Sequence, residues 1–182
     1  MSVCIAIDFE TSAYRGDRAC AVGMARFVDC REAGVYYSLI RPPSSRVLFS
    51  HVHGLTWAVL REARPFAQVW QEAADFVKGA DFFIAHNARF DQSVLADSCV
   101  ANGLAAPDMP FLCTLRGARK ALRLPGYGLA AVAAHLGIQL THHHAGSDAL
   151  ACGKVYARLR QGGLSEASMR LPGANSYGGK RG

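Results

Sequence analysis

Three short stretches carry side chains able to do acid-base or metal chemistry. Asp8-Phe9-Glu10 puts two carboxylates two residues apart at the end of the apolar run Val3 to Phe9. On an extended segment that spacing directs both side chains to one face. Like charges so close repel unless a cation lies between them, although a strand end meeting solvent carries the same residues without one. A second apolar run, Asp81 to Ala85, leads into His86-Asn87-Ala88-Arg89-Phe90-Asp91. Asp91 then falls in the first turn of the next helix, near the strand ends where α/β sheets collect ligands, and it also suits the positive end of the helix dipole. The third stretch, His143-His144-Ala145-Gly146-Ser147-Asp148, ends at the start of the last helix. Taken alone, Asp148 reads as a helix-start residue and the histidines as a polar loop. All three stretches, however, sit at strand ends or helix starts with apolar sequence behind them.

The elements that must position these residues follow from periodicity. Val3 to Phe9 is a buried strand; Ala19 to Asp29 and Gly34 to Arg41 are hairpin strands on either side of Cys30-Arg31-Glu32; Pro42 and Pro43 then stop the sheet. A loop from Ser44 to Thr56 precedes helical patterning over Trp57 to Arg61 and Pro65 to Lys78. Asp81 to Ala85 and Phe111 to Thr114 read as further strands. Helices are expected over Arg89 to Asn102, Leu115 to Leu124, Leu129 to Leu136 and Ser147 to Leu159. Strands, then alternation, then helices is an α/β plan in which helices cover a mixed sheet. Gly126-Tyr127-Gly128-Leu129-Ala130-Ala131 fits a GxGxxA pattern, but it follows a helix rather than a strand and carries little weight.

The 182 residues point to one compact domain over 1–162, followed by a flexible Gly/Ser/basic tail over 163–182. No run approaches the ~18 to 20 apolar residues of a membrane span, and the start reaches Asp8 and Glu10 too soon for a signal peptide. The expected compartment is the cytoplasm, with no membrane partner. Six scattered cysteines, without any CxxC, give little support to zinc ribbons, redox motifs or disulfide frameworks and read as reduced, mostly buried small hydrophobes. Against 14 acids stand 20 bases, 16 of them Arg, a balance that invites an anionic partner such as nucleic acid.

The ordered set Asp8-Phe9-Glu10-Thr11, His86-Asn87-Ala88-Arg89-Phe90-Asp91 and His143-x-Ala145-x-x-Asp148 resembles the three exonuclease motifs of the DnaQ-like, or DEDDh, 3′-to-5′ exonuclease superfamily. The likeness runs from about residue 3 to 160 and points toward the group of the DNA polymerase III epsilon subunit, exonuclease X and RNase T. His51-Val52-His53-Gly54-Leu55-Thr56 is similar to the family's His-Gly-Ile-Thr segment, and Cys113-Thr114-Leu115 to its post-strand signature. The resemblance implies an RNase H-like fold with a mixed, mostly five-stranded sheet flanked by helices. It also implies a metal-dependent exonuclease that releases nucleoside 5′-monophosphates from single-stranded 3′ ends, of DNA ahead of RNA.

Phosphodiester hydrolysis needs a deprotonated water, in-line geometry and a neutralised leaving oxygen, all met by two divalent ions about 4 Å apart. Four acids without a cysteine ligand suit Mg²⁺ or Mn²⁺ rather than zinc. By resemblance, Asp8, Glu10 and Asp148 hold one ion, Asp8 bridges to the second, Asp91 supports the site partly through water, and Glu10 also orients the nucleophile. His143 is the implied general base, because the family's base lies five residues before the last Asp and two before the Ala. A sister group carries Tyr four residues before that Asp, where this chain has His144. His142 and His144 are then loop residues or supports.

Substrate contacts implied by the resemblance are Thr11, His53, Leu55, Asn87 and Phe90, with a core role open for Leu55 and Phe90. Arg116, Arg119, Lys120 and Arg123 recur at i, i+3, i+4 and i+7, a basic stripe that either tracks phosphates or is a solvated face. Three alternatives stay open: a proofreading subunit bound to a polymerase, a catalytically silent nucleic-acid-binding module of the same fold, and a metal phosphohydrolase acting on nucleotides. A homo-oligomer is also open. Setting Asp8, Glu10, Asp91 and Asp148 aside leaves ten acids against 20 bases, so the remaining surface is more basic than the formal +6.

Overall fold

Side chains alternate along Val3–Thr11 (β1): Ile5, Ile7 and Phe9 enter one apolar cluster, and Cys4 and Ala6 enter another on the opposite face. Burial on both faces makes β1 the middle strand of a five-stranded sheet in the computed structural model, which describes residues 1–171. Ala19–Val28 (β2) lies antiparallel to β1, with Asp8 opposite Gly23, and Arg31–Leu39 (β3) lies antiparallel to β2. Phe82–Ala85 (β4) and Phe111–Cys113 (β5) run parallel on the other side, giving the order β3-β2-β1-β4-β5. This mixed, helix-covered sheet is the expected α/β architecture. The hairpin turn falls at Asp29 and Cys30 rather than at Cys30 to Glu32. Both have positive φ, 47° and 64°, as a two-residue turn matched to strand twist requires.

Among the described residues, seven helices follow or interleave: Ser50–His53 (α1), Trp57–Leu60 (α2), Phe66–Val77 (α3), Arg89–Ala101 (α4), Thr114–Ala121 (α5), Leu129–His135 (α6) and Ala145–Gln161 (α7). α3 and α4 cover the Ile5 face through Val69, Ala73, Val94 and Leu95. α5, α6 and α7 cover the other through Ala118, Val132, Cys152 and Val155. Each fully buried Ile or Phe contributes about 1.5–3 kcal/mol. Two glycines let α7 approach the sheet: a Cβ on Gly23 would lie 2.0 Å from the Ala145 carbonyl oxygen, and one on Gly153 would lie 2.1 Å from the Phe27 ring. Any side chain at 23 would push the start of α7 away from the Asp8–Gly23 pair. None of the helices in the described residues is long and apolar enough to cross a membrane.

Two expectations need correction. α5 ends at Ala121, because Leu122 is extended (φ −115°, ψ 162°) and Leu124 precedes Pro125, where helical backbone is disfavoured. The Tyr127 hydroxyl holds this exit, donating to the Leu122 carbonyl at 3.1 Å and accepting from the Leu124 amide at 3.3 Å. Arg123 is therefore not part of a helical stripe with Arg116 and Arg119. The second correction concerns the segment expected to leave the fold at 163. Residues 163–171 instead make a 3-10 turn at Glu166–Ser168 and run along β5, where the Cys113 amide donates to Met169 and the Leu171 amide to Phe111. Met169 is fully buried against the bare backbone of Gly117. The remainder of that expected tail, 172–182, lies outside the described residues.

Candidate active site

Residues 8 and 10 share the parity of Cys4 and Ala6, so the alternation of β1 aims both carboxylates at the face covered by α7. α7 begins at Ala145, two residues earlier than expected, and its first turn brings Asp148 over them. Ligand oxygens of Asp8, Glu10 and Asp148 all lie within 4.8 Å of one another. Asp91 enters from the first turn of α4, is 2% exposed, and accepts a 3.1 Å hydrogen bond from the Phe9 amide. β1, α4 and α7 thus deliver one acid cluster, in which Asp91 lies outside the three mutually close carboxylates but acts on Asp8.

The electrostatics are those of a cation site. Burial, then the facing Asp91, Asp148 and Glu10, push the Asp8 carboxyl well above the usual range. Burial, then Asp148, raise Glu10 to about 7. Burial raises Asp91 against the opposing hydrogen bond from Phe9, and it raises Asp148 against the pull of His142. Asp148 Oδ2 accepts from the His143 amide at 3.1 Å. Its Oδ1 is buried without a hydrogen-bond partner among the described residues, and His142 Nδ1 stands 3.6 Å away. A buried carboxylate oxygen left unpaired is costly, and a hard divalent ion is the group that would satisfy it together with Asp8 and Glu10.

The three consecutive histidines have separate placements. His144 is the N-cap of α7: its Nδ1 accepts from the Ser147 amide at 3.3 Å, and its ring stacks on Tyr37 at 4.5 Å. His142 lies by Asp148. His143, exposed and with φ 63°, stacks on His142 at 3.9 Å, and both line, with Asp8, Glu10, His86 and Asp148, a cleft of about 240 Å³. His86 is not free: Nδ1 accepts from Thr114 Oγ1 at 2.9 Å, Nε2 donates to the Tyr127 carbonyl at 2.8 Å, and burial lowers its pKa. The GxGxxA segment is therefore the loop and first turn of α6, and its Tyr127 carbonyl anchors His86.

A second cleft, of about 310 Å³, shares Phe9 and Glu10 with the first and is otherwise lined by Thr11, Ala13, Tyr14, Phe49, Val52, His53 and Phe90. Thr11, His53 and Phe90 thus meet there. His53 faces it as a brace, its Nδ1 accepting from Leu55 at 3.1 Å and its Nε2 donating to the Thr11 carbonyl at 3.2 Å. Leu55 and Asn87 line neither cleft; Asn87 forms the left-handed turn before α4, with φ 75°. Arg116 and Arg119 lie on α5, where Arg119 helps lower the pKa of His86. Tyr14 and Phe49, whose rings meet edge-on at 4.8 Å, had no periodic signal because both lie between regular elements. Arg18, 5% exposed, was equally silent; its mark in the sequence is a cation just ahead of the apolar β2.

Comparison with known proteins agrees with this geometry. The family model RNase_T, described as exonuclease, matches residues 5–156. The PolC-type DNA polymerase III of Thermotoga petrophila is 28% identical over 161 residues, covering 85% of this chain and 12% of that protein. Its counterpart in Streptococcus thermophilus is 35% identical over 104 residues, 56% of this chain and 7% of that one. The chain thus spans 12% or less of these curated relatives. Among solved structures, exonuclease X in complex with 5′-overhanging duplex DNA superposes with a TM-score of 0.72 at 20% identity, covering 93% of this chain and 97% of the other. The nuclease domain of 3′hExo, a DEDDh family member bound to rAMP, gives 0.76 at 16% identity, with coverage of 89% and 93%. E. coli exonuclease I with a dT13 oligonucleotide gives 0.72 at 19%, with coverage of 88% and 41%. The chain belongs to the RNase_T exonuclease family, and its mixed sheet flanked by helices is the RNase H-like fold of these solved nucleases.

Proposed function

We propose that the protein removes nucleoside 5′-monophosphates one at a time from the 3′ end of single-stranded DNA. The observation that carries this reading is the juncture at Glu10, where a cluster of half-buried and buried acids with an orphaned Asp148 oxygen adjoins an aromatic cleft of about 310 Å³. Asp8, Glu10 and Asp148 would hold Mg²⁺ or Mn²⁺, with Asp91 tied to the Phe9 amide of β1 and supporting the site partly through water. Two such ions supply water activation and charge neutralisation at the scissile phosphate. His143, on the rim, accepts the proton of the attacking water, and Glu10 orients that water. Thr11 and Phe90 contact the terminal nucleotide, while His53 holds the Thr11 backbone. Arg116 and Arg119 guide the incoming phosphates.

DNA is favoured as the substrate by the sequence relatives, which are DNA polymerases; among the solved neighbours exonuclease X and exonuclease I hold DNA and 3′hExo holds rAMP. A proofreading role alongside a polymerase is the second reading, favoured by the PolC-type likeness across 85% of this chain. The silent-module alternative leaves the convergence of four acids without a use. The exonuclease unit, in this reading, extends through residue 171, and six free cysteines suit a cytoplasmic setting. The test is degradation of 5′-labelled single-stranded DNA, duplex DNA and RNA with Mn²⁺. Single-stranded DNA is expected to shorten stepwise to mononucleotides, and an intact strand at high protein concentration overturns the reading. His143→Ala is expected to lower kcat by about 10²-fold or more while leaving Mn²⁺-induced stabilisation in place; unchanged kcat moves the base to a neighbour.

A further inference from the structure

The aromatic cleft has two walls from different parts of the chain, and one buried cation is bonded to both. Arg18 is 5% exposed and sits just ahead of β2. Its backbone carbonyl accepts from the Ser12 amide at 2.7 Å and from the Ser12 hydroxyl at 3.3 Å, closing the loop that carries Ala13 and Tyr14. Its guanidinium reaches α4: Nη1 pairs with Asp97 at 2.7 Å and Nη2 donates to Ser93 Oγ at 2.8 Å. Ser93 in turn donates to the Phe90 carbonyl at 2.8 Å, and the Arg18 Cζ lies 5.8 Å from the centre of the Phe90 ring, within cation-π reach.

We propose that Arg18 is a positioning residue that sets the width of the nucleobase cleft by holding Phe90 at a fixed distance from the Tyr14 loop. This rests on Phe90 as a substrate contact. Fold stability alone does not explain the residue. The Arg18–Asp97 pair is only half buried, the Asp97 side chain being 44% exposed, so it adds little stability, and the Nε hydrogen of the buried guanidinium is left without a partner among the described residues. What a planar, five-donor group does that an apolar one does not is to bond a serine, a carboxylate and a ring face at once. Phe90 is 41% exposed on the cleft side, so without that underside bracing its ring would sample several rotamers.

The experiment is steady-state hydrolysis of a single-stranded oligothymidylate by the full chain with Mn²⁺, comparing wild type, Arg18→Lys, Ser93→Ala, Phe90→Leu and the Arg18→Lys/Phe90→Leu pair. Lysine keeps the Asp97 pair but does not bridge to Ser93 and the ring, and Ser93→Ala leaves the ion pair untouched. Both are expected to raise KM about tenfold with kcat within about twofold, and Arg18→Lys should add little once Phe90 is Leu. A fall in kcat with KM unchanged, or effects of Arg18→Lys and Phe90→Leu that multiply in full, overturns the proposal. Should Arg18→Lys fail to fold, Ser93→Ala decides alone: a KM increase of about tenfold supports the bracing and an unchanged KM overturns it. A wild type that leaves the oligonucleotide intact overturns the exonuclease reading and this proposal with it; an active wild type with unaltered variants overturns the proposal only.

Discussion

The two clefts that meet at Glu10 are built from opposite materials. One is lined by carboxylates and imidazoles delivered by β1, α7 and the loop before it, and is tied by backbone bonds, Phe9 to Asp91 and His143 to Asp148. The other is lined mainly by apolar and aromatic side chains, several from the segments 12–18 and 44–56, and is tied by side-chain braces at His53 and Arg18. The contrast teaches a division of labour. Bond-breaking groups need placement to a fraction of an ångström, and the acids sit on β1 and on the first turns of α4 and α7, whereas a base of any identity needs only a face to stack on.

That division can be broken most severely at the acids. Asp148→Asn is expected to lower hydrolysis of both an oligonucleotide and bis(4-nitrophenyl) phosphate by roughly 10³-fold, since a metal ligand serves any phosphodiester. The same variant removes one of the mutually repelling acids and should raise the melting temperature of the metal-free protein, at about 2–4 °C per kcal/mol. A loss confined to the oligonucleotide would erase the distinction between the clefts. Phe49→Ala attacks the other side. Losing one stacking surface, at about 1–3 kcal/mol per base, should raise KM for the oligonucleotide about tenfold and leave bis(4-nitrophenyl) phosphate turnover alone; equal loss on both substrates would make the aromatic wall part of the chemistry.

Thermal melts sharpen the electrostatic half. Glu10 ordinarily ionises near 4.5 and is held up to about 7, so between those values the folded metal-free chain keeps a proton that the unfolded chain has released. Its stability is greatest at the acid end of that window and falls as pH rises through 7. Melting temperatures in EDTA should therefore decline from about pH 5 to about pH 8, while the gain on adding Mn²⁺ grows over the same interval. A Mn²⁺ gain independent of pH would mean that the ion is not held by these carboxylates. The smallest effect is expected on α5: replacing Arg116 and Arg119 by Ala should lower the salt dependence of single-strand binding by about 0.7 for each phosphate no longer neutralised. An unchanged slope makes that helix a solvated face.

Much of the acid cleft was legible in the residues because it obeys local periods. A two-residue repeat on a strand sends Asp8 and Glu10 to one face, and helix-start positions bring Asp91 and Asp148 to the strand ends. The aromatic cleft was far less legible. Tyr14, Phe49 and Arg18 belong to segments without a period, and their partners lie 35, 75 and 79 residues away, as in Tyr14–Phe49, Arg18–Ser93 and Arg18–Asp97. Met169 shows the same limit. It is one apolar residue in a polar stretch, and its burial depends on Gly117 leaving room and on the open edge of β5.

By itself the sequence determined the sheet-and-helix plan, the four acids and their preference for a hard cation, because each follows from alternation, helix starts and the ordinary chemistry of carboxylates. Only the tertiary structure decided which of three adjacent histidines caps α7 and that the other two stack on each other at the acid cleft. It also decided that Asp91 is tied to the Phe9 amide of β1 and that Arg18 spans two walls. Those outcomes depend on close approach between distant segments, such as α7 against the bare backbone of Gly23, and no local period encodes a distance across the sheet.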